Sequence, residues 1–290
     1  MNNRISVVLP VYNEEKAIAQ VLDEIIKVMK EGGYNFEIIV VDDCSTDRTF
    51  EIARMKNVKV IRHAVNKGSG ASRKTGILNA EGDIVVMLDA DGTYPVKSIP
   101  ELLKYFPEYD QVIGARNKEQ GTLRIIRQPT KWLLFRLASY LAKTEIPDLN
   151  SGLRAFRRDI ALKYLYLVPN GFSCVSTITL MFICNGYSVK FIPIEYYKRI
   201  GKSKFKAFIG TRDLLFTIIR ITMHFNPLRI FLPLSSLLFA FGIIKTVFDV
   251  WFSSVKRMQS SDIVIIIGAI NILVLGLLAD LIVTQRKRDA

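Results

Sequence analysis

Residues 84–92 (IVVMLDADG) decide the fold, because a short apolar run ends there in two carboxylates. The apolar and partly β-branched residues before Asp89 predict a buried strand. In a parallel α/β sheet, ligands bind beyond the carboxyl ends of the strands, which is where Asp89 and Asp91 would lie. Two carboxylates this close repel each other unless a cation lies beside them. Their oxygens suit Mg²⁺ or Mn²⁺, although an Asp-x-Asp pair in a solvated surface turn is the alternative.

The segments around this stretch alternate between predicted strands and helices. Apolar runs predict strands at residues 5–10, 36–41, 58–62 and 111–114, and an edge strand at 189–194. Helical spacing or helix-capping residues predict helices at 14–30, 45–55, 69–79, 100–106 and 177–184. This alternation predicts βαβ units and a parallel sheet.

Three polar motifs accompany the Asp-x-Asp pair: residues 10–15 (PVYNEE), 41–45 (VDDCS) and 66–73 (NKGSGASR). As an ordered set, they resemble the family 2 glycosyltransferases with the GT-A fold. Within that family, the chain is similar to the polyprenyl-phosphate sugar synthases, the group that includes dolichyl-phosphate mannose synthase. The resemblance covers roughly the first three quarters of the chain and implies a Rossmann-like, mostly parallel sheet.

The resemblance implies an inverting transfer of a sugar from a GDP- or UDP-sugar. Asp89 and Asp91 would hold the metal ion, with Thr93 in a weaker role. The residues implied for nucleotide binding are Pro10, Tyr12, Glu14, Asp42, Asp43, Lys67, Asp89, Ala90 and Asp91. Asp42 or Asp43 would accept a hydrogen bond from the base. Asp47 is the expected helix cap, which would leave that pair freer for ligand.

The acceptor is predicted from the residues after Gly171. Relatives that glycosylate a hydroxyl need a general base, often an acid in a late Glu-Asp motif before a helix. Residues 173–177 (SCVST) contain no acid. A phosphate monoester is already ionised at neutral pH, so it needs cations to position it rather than a base. The residues therefore favour a phosphate as the acceptor, and the resemblance implies that it is a polyprenyl phosphate, either dolichyl or undecaprenyl phosphate.

The cations expected to hold that phosphate are Arg116, Arg127, Lys131, Lys198, Arg199 and Lys204. A solvated or lipid-facing basic surface is the alternative, and it is preferred for Lys206 and Arg212. Asp148 would either orient the sugar hydroxyls or fix its own turn with Asn150 and Ser151. The catalytic set is thus Asp89, Asp91, Arg116, Arg127 and Asp148.

Composition indicates a membrane protein. Half of the 290 residues are hydrophobic and the net charge is +13, which suits nucleic acid or an anionic membrane surface. No RNA-binding or zinc-finger spacing is present, so the membrane is preferred. Three cysteines without a CxxC pair predict reduced thiols in the cytosol, and no signal peptide is expected at the N-terminus. His63 and His224 lie far apart in sequence and are each expected to be structural or interfacial.

Two apolar runs, residues 228–251 and 263–283, are long enough to span a bilayer, although a pair of buried core helices is the alternative. Their basic flanks place the catalytic domain and both termini in the cytoplasm. Lys245 and Asp249 would either pair within the first run or extend their charged ends to the membrane surface. The expected organisation is a GT-A domain (1–204), an amphipathic interfacial helix (205–225) and a transmembrane hairpin (226–290).

Two other functions compete with this hypothesis. A family 2 transferase could instead extend a glycan or a lipid-linked saccharide at a hydroxyl, although a processive synthase would carry more membrane helices and a QxxRW-like motif. A membrane-anchored protein that only binds nucleotide sugars is the third, and the intact pair Asp89 and Asp91 argues against it. Homo-oligomerisation stays open.

Overall fold

A computed structural model describes residues 4–117, 136, 138–140, 144–171, 173–200, 207–252 and 257–288. The chain divides into two compact units, Met1–Ile218 and Ile219–Ala290. The division falls inside one helix, Ala207–Phe225. The sequence-based boundaries at residues 204 and 225 stay a prediction.

In the part of the chain that is described, the first unit contains a seven-stranded sheet. The strands are β1 Ile5–Val11, β2 Phe36–Asp42, β3 Lys59–Arg62, β4 Ile84–Met87, β5 Gln111–Arg116, β6 Arg154–Arg157 and β7 Val189–Ile194. Their order is β3-β2-β1-β4-β6-β5-β7, and β6 is antiparallel to both of its neighbours while the other pairs are parallel. The mostly parallel sheet and the edge position of β7 are therefore confirmed.

The helices of the first unit are α1 Ile18–Glu31, α2 Thr49–Arg54, α3 Ser69–Asn79, α4 Ile99–Leu103, α5 Arg158–Lys163 and α6 Cys174–Cys184. One face of α1 is buried through Ile18, Val21, Leu22, Ile25 and Met29, as its helical spacing predicts. Helix α3 approaches β1 so closely that a Cβ atom at Gly76 would lie 2.2 Å from Val8 Cγ1. Helix α3 therefore packs directly on β1, and the next strand in the chain, β4, pairs with β1.

Strand β4 lies between β1 and β6, and all four of its residues are buried. Because β1, β2 and β4 run parallel, the residues that follow them meet at one edge of the sheet. The loop before β6 reaches the same edge because β6 runs the opposite way. This topology collects the predicted site motifs in one place. Strand β1 continues one residue past Pro10, where the sequence predicted its end, since proline lacks only the N–H donor.

The C-terminal helices are α7 Ala207–Phe225, α8 Leu228–Trp251 and α9 Ser260–Arg288. The α8 helix has 24 residues, a length of about 36 Å, which exceeds the hydrocarbon core of a bilayer. Only 11% of the apolar window of α8 and 17% of that of α9 is buried. Exposed apolar helices of this length fit a transmembrane hairpin better than a pair of core helices. The interfacial position expected for α7 stays a prediction.

Polar side chains join α8 to α9 near the link between them. Lys245 Nζ lies 2.7 Å from Asp249 Oδ2, 2.5 Å from Asp262 Oδ1 and 2.9 Å from Ser261 Oγ. The pairing of Lys245 with Asp249 is therefore confirmed, and Asp262 joins it from the second helix.

Candidate active site

Asp89 and Asp91 stand where β4 ends and face different surroundings. The side chain of Asp89 is 35% exposed and accepts a hydrogen bond from Arg73 Nη2. Asp91 is almost fully buried. Its Oδ1 accepts hydrogen bonds from the Thr93 amide (3.1 Å) and the Thr93 hydroxyl (2.6 Å). Its Oδ2 lies 3.3 Å from Arg199 Nε.

The electrostatics of the pair favour a cation. Burial raises the pKa of Asp91, and the neighbouring charge of Asp89 raises it further, against the opposing effects of Thr93 and Arg199. Burial and the nearby Asp89 thus both disfavour the charged form of Asp91, which a bound cation would stabilise. Thr93, which the sequence suggested as a further ligand, is buried and supports Asp91 through its hydroxyl.

Arg73 is a site residue that the sequence reasoning missed. It lies in α3, is almost fully buried, and also donates hydrogen bonds to Ser69 O (3.4 Å) and Cys174 Sγ (3.6 Å). The only signal in the sequence was its place at the end of the motif 66–73. A buried arginine that contacts the Asp-x-Asp pair from another helix requires the tertiary structure to be recognised.

The carboxylates of Asp42 and Asp43 have several partners within the protein, and their expected role in binding the base stays a prediction. Asp43 accepts hydrogen bonds from the Lys67 and Gly68 amides at 2.9 and 2.8 Å, and it lies 2.7 Å from His63 Nδ1. Asp42 accepts from the Ser45 amide and contacts Arg62 Nε at 3.2 Å. These contacts hold the motif 66–73 against the end of β2, because a buried carboxylate needs such partners.

The N-cap position of α2 is Arg48, one residue after the predicted Asp47, but Asp47 Oδ1 accepts a hydrogen bond from the Thr49 amide at 3.0 Å and so satisfies a donor of the first turn. His63 is structural, as expected, through Asp43 and Thr75. Glu14, which follows β1, lies 2.5 Å from Arg199 Nη2. Tyr12 is half-buried and Lys67 is exposed, whereas the side chain of Ala90 is buried in the core, so Ala90 can offer a nucleotide only its backbone.

Arg116 and Asp148, predicted for separate roles, form one ion pair. Arg116 Nε lies 2.7 Å from Asp148 Oδ2, and Arg116 Nη2 lies 2.9 Å from Oδ1. Asp148 also accepts from the Asn150 amide at 3.0 Å, which supports the turn-fixing alternative. Burial opposes ionisation of Asp148, but the hydrogen bonds and charge of Arg116 outweigh it, and the pKa of Asp148 is lowered.

The loop that contains Asp148 is held against helix α6 and against Asp89. Buried Arg154 donates to Ser151 O, to Val175 O (2.8 Å) and to Thr179 Oγ1 (2.8 Å), and burial lowers its pKa to about 10, so it stays charged at neutral pH. Gly152 donates to the Tyr94 hydroxyl at 2.6 Å. A Cβ atom at position 152 would lie 2.6 Å from Asp89 Oδ2.

The segment after β7 (residues 195–200) lies over the Asp-x-Asp turn. The Tyr197 amide donates to Thr93 O at 2.9 Å and the Ile200 amide donates to Asp91 O at 3.1 Å. Arg199, predicted for the acceptor, therefore reaches both Asp91 and Glu14, while Lys198 is exposed. Arg127, Lys131 and Lys204 lie outside the described residues, as do Lys206 and Phe172.

Two family patterns match the chain. The one described as glycosyl transferase family 2 matches residues 6–165, and the one described as GtrB C-terminal hairpin matches residues 226–284. A dolichyl-phosphate hexose transferase of Haloferax volcanii is 30% identical over 222 residues, which are 76% of this chain and 94% of that protein. An undecaprenyl-phosphate 4-deoxy-4-formamido-L-arabinose transferase of Proteus mirabilis is 27% identical over 255 residues, covering 84% and 75% respectively.

A solved structure shares the fold of the first unit. It is the crystal structure of glucosyl-3-phosphoglycerate synthase from Mycobacterium tuberculosis in complex with Mn²⁺, uridine diphosphate and phosphoglyceric acid. The TM-score is 0.61 at 21% identity, over 76% of this chain and 78% of that one. The similarity establishes a GT-A-like arrangement of the sheet.

Proposed function

The chain belongs to the glycosyl transferase family 2, and on that premise we propose that it transfers a sugar from a nucleotide diphosphate to a polyprenyl phosphate, with inversion at the anomeric carbon. The main support is the Asp89 and Asp91 pair, which lies at the ligand-binding edge of the sheet with an arginine against each carboxylate. The matched relatives from H. volcanii and P. mirabilis carry dolichyl phosphate and undecaprenyl phosphate in their names, which supports this class of acceptor.

Asp89 and Asp91 are the residues we propose for a divalent cation, Mg²⁺ or Mn²⁺. The raised pKa of Asp91 reflects first its burial and second the charge of Asp89, and a cation beside the two carboxylates would relieve that second effect. Within the described ranges, no group of three or more His, Cys, Asp or Glu side chains could hold a metal ion, so phosphates and water would complete the coordination. When bound, the ion neutralises charge that develops on the leaving diphosphate.

The transfer needs no proton acceptor in the protein. An ionised oxygen of the acceptor phosphate attacks C1 of the sugar, the bond from C1 to the diphosphate oxygen breaks, and the nucleoside diphosphate leaves with the bonding electrons. This agrees with the sequence of residues 173–177, which contains no acid at the start of α6. Attack from the face opposite the diphosphate inverts the anomeric carbon.

The chain's residues would position the two substrates. We assign the nucleotide to the edge formed by Tyr12, Glu14 and the segment that Asp43 holds, with Lys67 beside it. We assign the acceptor phosphate to Arg116, Lys198 and Arg199, with Arg127, Lys131 and Lys204 proposed from the sequence alone.

The membrane hairpin would bring this site to its lipid. The polyprenyl chain dissolves in the bilayer and its phosphate stays at the surface, so a catalytic unit anchored by α8 and α9 meets the acceptor there. We propose that the catalytic unit faces the cytoplasm, because basic residues flank the hairpin on the sides of Arg229 and residues 286–288.

The decisive experiment incubates the full-length protein with a panel of GDP- and UDP-sugars, Mg²⁺ or Mn²⁺, and a polyprenyl phosphate. The lipid product is identified by mass spectrometry. We expect a polyprenyl-phosphate sugar with one donor of the panel, and no product from free polyprenol. Transfer to polyprenol or to a saccharide hydroxyl at a matching rate would instead favour the glycan-extending alternative.

A further inference from the structure

Two arginines neutralise the Asp-x-Asp pair in different ways. The side chain of Arg73 is 5% exposed, and its guanidinium is hydrogen-bonded to Asp89 and, at 3.6 Å, to Cys174 Sγ. The side chain of Arg199 is 29% exposed. Its Nε lies 3.3 Å from Asp91 Oδ2 without a hydrogen-bond partner among the described residues. Arg73 is therefore enclosed in the core, whereas Arg199 is partly exposed and donates a hydrogen bond to Glu14.

The oxygen that Arg199 contacts is the one a cation would use. Thr93 occupies Asp91 Oδ1 with two hydrogen bonds, from its amide and its hydroxyl. Oδ2 is the remaining oxygen of this carboxylate, and Arg199 lies against it. A guanidinium and a divalent ion repel each other, so both cannot contact Oδ2 at close range.

The backbone that carries Arg199 is anchored to the turn independently of its side chain. The amides of Tyr197 and Ile200 are hydrogen-bonded to Thr93 O and Asp91 O, which keeps this segment over the turn. The Arg199 side chain bridges Asp91 to Glu14, the residue we assign to the nucleotide edge. Arrival of a metal–nucleotide pair would disturb both contacts of this side chain at once.

We propose that Arg199 is an exchangeable counter-ion: it occupies the cation position at Asp91 until the metal ion and donor bind, and it is then released to hold the acceptor phosphate. Arg73 stays on Asp89 throughout. This inference rests on the proposed function, since it gives the released guanidinium a phosphate to bind. It also orders the reaction, because the acceptor gains this cation only after the donor is in place.

Mn²⁺ binding to the full-length protein in nanodiscs tests the exchange, with free Mn²⁺ measured by electron paramagnetic resonance in the absence of nucleotide and lipid acceptor. Arg199→Gln should tighten Mn²⁺ binding roughly fivefold, the size expected for removing one partly exposed competing ion pair. The same variant should slow transfer to polyprenyl phosphate at least about tenfold, because the acceptor is then poorly positioned. Arg199→Lys, which keeps the charge, should bind Mn²⁺ nearly as the wild type does.

Lys97→Gln is the matched control. Lys97 is 68% exposed, and its Nζ lies 3.9 Å from the carboxylate of Glu195, which belongs to the same segment 195–200 as Arg199. The Lys97→Gln variant should change neither measurement. Unchanged or weaker Mn²⁺ binding in Arg199→Gln, with a circular dichroism spectrum and Tm equal to those of the wild type, overturns the exchange. Tighter Mn²⁺ binding without any polyprenyl-phosphate activity in the wild type supports the exchange and rejects the acceptor instead, so the two hypotheses fail separately.

Discussion

At the scale of single residues, the carboxylates of Asp89 and Asp91 make the sharpest prediction. Asp89→Asn or Asp91→Asn should lower the transfer rate at least about a hundredfold, because each removes a charge that holds the cation against the leaving diphosphate. Chelation with EDTA should have the same effect and be reversed by added Mg²⁺ or Mn²⁺. Asp23→Asn is the control, because it makes the same change of charge at an exposed aspartate that is paired with Lys56, and it should leave the transfer rate unchanged. Full activity of the two site variants, or in EDTA, would contradict the metal site.

Gly152 predicts a steric effect on the same carboxylate. In Gly152→Ala the new methyl group would lie 2.6 Å from Asp89 Oδ2 and 2.9 Å from the Tyr94 ring, so one of them must move. We expect a strong loss of transfer rate with an unchanged circular dichroism spectrum. Gly268→Ala adds the same methyl group at 3.9 Å from Leu238, an ordinary contact, and should leave the rate unchanged. Equal rates in the two variants would show that Asp89 tolerates displacement.

What the sequence could not supply at this scale is the partner of each charged group. The positions of Asp43 and Asp89 follow from where apolar runs stop, because strand ends can be predicted from local pattern, and Asp148 follows from a turn-rich loop before a strand. Their contacts come from distant segments: Arg73 for Asp89, Arg116 for Asp148, and the amides of the motif 66–73 for Asp43. Such pairing depends on tertiary packing, which local pattern does not encode.

At the scale of structural elements, the Arg116–Asp148 pair joins the end of β5 to the loop before β6. Because the pKa of Asp148 is lowered in the folded state, its stabilising effect is present above the ordinary carboxyl pKa of about 4 and is lost as pH falls through the lower folded value. Asp148→Asn should therefore lower the Tm at pH 7, and the difference from the wild type should shrink below about pH 4. Thermal unfolding of the detergent-solubilised protein from pH 7 to pH 3 measures this. A difference that stays constant with pH would assign the effect to packing.

The elements themselves were largely predictable, and the errors have physical causes. Helix α3 has the predicted bounds, and α8 matches the predicted first apolar run. Helix α6 begins at Cys174 rather than Thr177, because Ser and Thr give weak helical signals even where the helix is buried on every side. The antiparallel direction of β6 was not predictable, since a strand's apolar pattern carries no information on its direction.

The polar contacts between α8 and α9 give a prediction for the hairpin. Lys245→Met would leave Asp249 and Asp262 facing each other without their shared cation, so the Tm of the detergent-solubilised protein should fall. Arg257→Gln also removes one positive charge but lies exposed in the link, and it should leave the Tm unchanged. If both variants unfold at the wild-type temperature, the ion pairs of Lys245 with Asp249 and Asp262 do not stabilise the hairpin.

At the scale of the whole molecule, the distribution of charge and of apolar surface agrees with a catalytic role for the first unit and a membrane-anchoring role for the second. The first unit contains the sheet and the candidate site, and the second contains the two apolar helices. A chain with a net charge of +13 is attracted to the anionic cytoplasmic face of a membrane, where a polyprenyl phosphate also presents its charge. This favours a catalytic unit held at the lipid surface that contains its acceptor.

The orientation of the hairpin follows from its basic flanks and can be measured in intact cells. Cytoplasmic loops carry the excess of Lys and Arg, so the link between α8 and α9 should face outward and residue 285 should face inward. In a Cys44→Ser background, a membrane-impermeant maleimide should label Met258→Cys in intact cells. It should label Gln285→Cys only after the cells are opened.

Both reporter positions are exposed, and the remaining cysteines, Cys174 and Cys184, are buried, so accessibility across the membrane is the variable that differs. The consequence is chemical as well as topological. Nucleotide sugars are made and kept in the cytosol, so a donor site on the other face would lack its substrate. Labelling of Gln285→Cys but not of Met258→Cys in intact cells would therefore reject both the topology and transfer from a cytosolic donor.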